Sequence, residues 1–118
     1  MTAIHDEAIR IARERLKIAN ANVESGTAPT IQRTAAERDL AIAAARGDAL
    51  KIAEAQMAYA EVRLATLRAN AQANTVSESD VLEGEQALND ARLQVERARR
   101  DSRAAGPKPP ARAQPSPE

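Results

Sequence analysis

Residues 43–50 read Ala43-Ala44-Ala45-Arg46-Gly47-Asp48-Ala49-Leu50, and the number of helices in the 118-residue chain turns on them. A glycine followed by an aspartate suits one helix ending and another starting, with Gly47 as C-terminal cap and Asp48 as N-cap. Against that, the row Ala36, Ala43, Leu50, Met57 crosses Gly47 with no change of phase. Connections between helices usually take about 2–8 residues, and a glycine inside a helix costs only about 1 kcal/mol. The pattern therefore favours one continuous helix from Pro29 to about Gln72, roughly 66 Å long. Flanking helices would fold back on its two halves, lying roughly end to end. The alternative is a four-helix bundle with a turn at Gly47.

Working outward, the remaining boundaries are plainer. Glu24-Ser25-Gly26-Thr27-Ala28-Pro29 places Gly26 just past one helix and Pro29 at the first turn of the next. Further on, Asn74-Thr75-Val76-Ser77-Glu78-Ser79-Asp80 offers Ser77 as an N-cap with Asp80 three residues later, a variant of the capping box. Between these punctuation marks the apolar residues recur every seven. Ile4, Ile11 and Ile18 form one row of the first helix, about Thr2 to Ser25, and Ile9, Leu16 and Val23 another. Ala43, Leu50, Met57, Leu64 and Ala71 continue in the middle segment beside Ala53, Ala60 and Leu67. After Ser77, Val81, Leu88 and Val95 alternate with Gly84, Ala91 and Ala98. The expected fold is all-α, built of antiparallel, coiled-coil-like helical hairpins. Pairing large residues with Ala or Gly brings backbones toward the short end of the 8–10 Å interaxial range, roughly.

Composition narrows the function. There are 28 alanines but only 20 Leu, Ile and Val together, one Tyr, one His, and no Cys, Trp or Phe. Disulfide frameworks, thiolate zinc sites and cysteine nucleophiles are excluded. A single His leaves little room for a metal site or a triad, and the aromatic deficit argues against ligand pockets and single-strand nucleic-acid grooves. The 17 basic residues cancel the 17 acidic ones, which removes the long-range field that draws proteins to phosphate backbones. No run approaches a membrane span and the start is acidic rather than basic, so the expected location is cytoplasmic, or periplasmic if the chain is a piece of a longer precursor. Residues 104–118 hold five of the six prolines and no Leu, Ile or Val. That stretch reads as a disordered tail, in which Pro107-Lys108-Pro109-Pro110 has PxxP spacing; residues 1–103 form the helical domain.

A shift of 48 residues lays the chain on itself. Arg15-Leu16 falls on Arg63-Leu64, Asn22 on Asn70, Thr27 on Thr75, Leu40 on Leu88 and Ala43 on Ala91, which reads as a duplicated hairpin. The stretch Arg63-Leu64-x-x-Leu67-Arg68 leading to Val76-Ser77-Glu78-Ser79-Asp80-Val81-Leu82-Glu83-Gly84 resembles the helix-turn-helix tips of TolC-type outer-membrane efflux channels. The hairpins of HlyD-type periplasmic adaptors look similar. In the first copy, Val23 to Pro29, the turn glycine is kept but the Asp-Val-Leu of the tips is missing. The resemblance implies hairpins that meet partners at their turns, and so marks Gly26, Thr27, Pro29, Thr75, Ser77 and Asp80 as candidate partner contacts. A channel of that family also implies membrane β-strands, and an adaptor a lipoyl-like domain; neither pattern is present.

Other clusters have simpler readings. His5 and Glu7 stand about 200° apart on a helix and cannot share an ion. Glu78, Asp80, Glu83 and Glu85 complement the dipole at a helix start, as Arg92, Arg97, Arg99, Arg100 and Arg103 do at its end. Asp6 with Arg10, Arg33 with Glu37 and Glu96 with Arg100 are spaced for i,i+4 pairs. No catalytic, cofactor or metal residues are assigned and no small-molecule substrate is evident. The expectation is a non-enzymatic structural protein that self-associates or packs on another helical protein, with an efflux component and a nucleic-acid binder using the arginine end as alternatives.

Overall fold

The alanine-rich rows do fold as helices, four of them among the described residues. The computed structural model describes residues 2–104, with side chains from residue 3 onward. Its regular elements are α1 (Thr2–Glu24), α2 (Thr30–Ala44), α3 (Ala49–Gln72) and α4 (Glu78–Ala104). The proline-rich tail lies outside the described residues, except that Ala104, its expected first residue, is the last residue of α4.

The continuous helix across Gly47 is not formed. Arg46 (φ 51°) and Gly47 (φ 86°) both take left-handed backbone, which reverses the chain. Asp48 then caps α3 by accepting from the Lys51 N–H at 3.1 Å. The reversal lets α3 run back along α2, where the Arg38 guanidinium sits 4.3 Å over the ring of Tyr59. A straight helix would have left these two faces in water, so packing overrides the unbroken heptad phase. Arg46, freed from the helix, reaches back to Asp6 on α1.

The four helices do not make a bundle either. α1 packs on α2, α2 on α3 and α3 on α4, and among the described residues no other pair of helices packs together. Chain order is spatial order, each helix is antiparallel to its neighbour, and the smallest extent of the molecule is 14 Å. With α1 packing on neither α3 nor α4, and α2 not on α4, the helices lie side by side in a single layer. The first and third turns lie at one end of the layer, and the Gly47 turn at the other.

One layer has seams instead of a central core. The buried apolar residues are Ala12, Ala36, Ala45, Ala53, Ala60, Leu64, Leu88 and Val95, most of them alanine. The densest packing joins Ala60, Leu64 and Leu88, with Met57, Val81 and Ala91 against them. The helices approach closely at Gly84, where a Cβ would stand 2.7 Å from Leu67 Cδ1 and 3.3 Å from Leu64 Cδ1, the flexible ends of two side chains. In α1 only one of the two apolar rows is used. Ile9, Leu16 and Val23 are half-buried beside Ala12, whereas Ile4, Ile11 and Ile18 stay 65%, 40% and 60% exposed.

Candidate functional site

Five of the six candidate contact residues occupy the first and third turns, Asp80 stands in the first turn of α4, and all six are exposed. The two turns are built alike. The Asn22 carbonyl accepts from the Thr27 N–H at 2.9 Å and the Thr27 hydroxyl at 3.1 Å. The Asn70 carbonyl accepts from the Thr75 N–H and the Thr75 hydroxyl, each at 2.9 Å. The left-handed residue is Gly26 (φ 81°) in one and Asn74 (φ 63°) in the other, the two types that tolerate it most easily. At both places the threonine hydroxyl adds a further donor to a carbonyl that the helix end leaves without an intrahelical one.

The helix starts that follow differ. Pro29 precedes α2 with no side-chain cap. Before α4, Ser77 Oγ accepts from the Asp80 N–H at 3.2 Å and Asp80 Oδ2 accepts from the Ser77 N–H at 3.3 Å, a reciprocal box. The turn residues therefore hold backbone, and their polar atoms are largely spent on it.

The layer's faces carry shallow grooves that no motif in the sequence announced. One, about 560 Å³, runs over α3 between α2 and α4, with Tyr59, Ala60 and Gln56 on its floor side and Asp39, Asp90 and Gln94 along its walls. Its single aromatic was visible in the sequence, but its walls meet only because the chain folds back at Gly47. Among the described residues no polar or charged side chain is buried and no group of three or more His, Asp or Glu could hold a metal ion. The ionisable pair with a resolved shift lies on the open surface of α1. The Arg10 guanidinium, 2.6 Å from Glu7, donates to its carboxylate and holds that carboxyl below the usual range, while the same bond raises Arg10. Neither is desolvated, so neither has the environment that tunes a catalytic group.

The expected i,i+4 pairs are realised unevenly. Glu96 and Arg100 meet at 3.4 Å. Asp6 turns instead to Arg46, leaving Arg10 to Glu7, and no ion pair joins Arg33 to Glu37 among the described residues. In the arginine end, Arg99 faces Glu54 of α3 at 3.9 Å. Among the described residues no helix is long and apolar enough to cross a membrane. No protein-family model, curated protein or solved structure matches the chain.

Proposed function

We propose that this chain is a non-enzymatic structural or interaction module that works by laying its helices, through heptad-spaced seams, against other helices. The observation that carries this reading is the single layer: among the described residues two faces and two edges are open, no polar side chain is buried, and Ile4, Ile18 and Leu82 remain 60–65% exposed. Such surfaces suit a helical partner, since exposed aliphatic rows at helical spacing gain most from another helix. Photo-crosslinking residues placed at Ile18, Val62 and Leu82 test the reading. Capture of a polypeptide from one of these positions, with unchanged helical circular dichroism, is the expected result. Absence of any protein adduct from all three would sink it.

A second reading, a component of a TolC-type efflux or secretion assembly, is favoured by one observation: two turns of the same construction stand at one end of the layer. Turns that dock on a partner should lose that docking with Thr75→Ala and Ser77→Ala. Nucleic-acid binding has less support, because Arg99 and Arg100 already face Glu54 and Glu96.

A further inference from the structure

We infer that the partner of α1 is α1 of a second copy, packed antiparallel about a twofold axis so that the layer continues in its own plane. This rests on the helix-packing function proposed above and names the surface and the occupant.

α1 turns Ala12 inward against α2, so residues two positions to either side, Arg10 and Glu14, point outward along the free edge. Extended at helical spacing, that edge is the row Ala3, Glu7, Arg10, Glu14, Lys17 and Ala21, every one exposed. The row is complementary to its own reverse. Run antiparallel with the axis at the level of Ala12, Glu7 meets Lys17 of the second copy, Arg10 meets Glu14, and the small Ala3 and Ala21 meet at the ends. Within each copy Glu7 already pairs with Arg10 at 2.6 Å, and Glu14 with Lys17 at 3.9 Å. The two copies therefore close each set of four charges into a ring of alternating sign, twice per dimer. Networks of this kind outperform isolated surface pairs, which contribute little.

Ile4, Ile11 and Ile18 flank the charged row on one face and centre on Ile11, one residue from the axis, so the twofold brings Ile11 near Ile11 and Ile4 near Ile18 of the other copy with a stagger of about 3 Å along the helices. Parallel pairing would instead set Glu7 on Glu7 and Lys17 on Lys17, which repel. Antiparallel pairing also repeats the relation every neighbouring pair in the layer already uses, and an isologous contact of this kind closes at two copies.

The absence of cysteine makes the geometry directly testable in the full chain. Ile4→Cys and Ile18→Cys chains, mixed and oxidised, are expected to give disulfide dimers that neither chain gives alone, while Ile11→Cys links to itself. In sedimentation, Glu7→Lys with Glu14→Lys should lower the association constant by about tenfold or more. Adding Arg10→Glu and Lys17→Glu should restore it, since the reversed row is again self-complementary. Circular dichroism reports whether each variant keeps its helices. Ile4→Cys linking to itself, failure of the fourfold reversal to restore association in a folded chain, or a single chain at every concentration would overturn the inference. A monomer that still crosslinks to another polypeptide would leave the proposed function standing and remove only this partner.

Discussion

The hairpin of α1 and α2 and the hairpin of α3 and α4 turn on the same hydrogen bonds, yet α2 stops after 15 residues and α4 runs for 27. Gly47 and Val95 lie at the same distance along the chain from the turn residues Gly26 and Asn74. Val95 is 2% exposed in an unbroken helix; Gly47 is left-handed and ends the hairpin. Leu64 and Leu88 are buried in the second hairpin, while their counterparts Leu16 and Leu40 are half-buried in the first. Gly84 explains part of the difference, because it admits Leu64 and Leu67 into space that Ala36, its counterpart, fills with a methyl group. Turn chemistry thus shapes both hairpins equally, and the closeness of the seam decides which is the firmer.

The largest effect should come from the seam itself. Leu64→Ala leaves a cavity beside Leu88 and is expected to cost about 3 kcal/mol, against about 1 kcal/mol for Leu16→Ala, read as urea midpoints. Equal losses would erase the distinction between the hairpins. Amide exchange should agree, with α3 and α4 protected longer than α1 and α2. Next, Gly84→Leu overfills the close approach and should cost about 2 kcal/mol. Gly84→Ala should be nearly neutral, because the gain of about 1 kcal/mol in helix propensity offsets moving two flexible leucine ends. A third contrast is at the helix starts. Ser77→Ala breaks the capping box and should cost about 1 kcal/mol, whereas α2 has no side-chain cap to lose.

The smallest effect is electrostatic and belongs to the weaker hairpin. Glu7 has its carboxyl lowered by Arg10, so its contribution is present at neutral pH and is lost as pH falls through the acidic carboxylate range. Both groups are fully exposed, so Glu7→Gln should flatten the acid limb of a stability-against-pH curve only slightly, and salt should mask the change.

Helix content, the turns at Gly26 and Asn74, and the Ser77 box were legible because each is local: propensity, left-handed backbone and capping act within a few residues. The seven-residue rows of α3 and α4 were legible from their spacing, and Ala53, Ala60, Leu64, Gly84, Leu88 and Val95 are their buried members. The open groove beside Tyr59 was not, since its walls come from three helices far apart in sequence.

Heptad spacing, caps and composition by themselves determined that the body of the chain is all-α, with contacts lined by alanine. Tertiary structure alone decided that Gly47 is a reversal, that the helices lie in one layer, and that Ile9, Leu16 and Val23 face inward while Ile4, Ile11 and Ile18 face out. The reason is one of magnitude. A glycine in a helix and a glycine in a turn differ locally by only about 1 kcal/mol, so the burial gained when α3 lies along α2 outweighs the local preference.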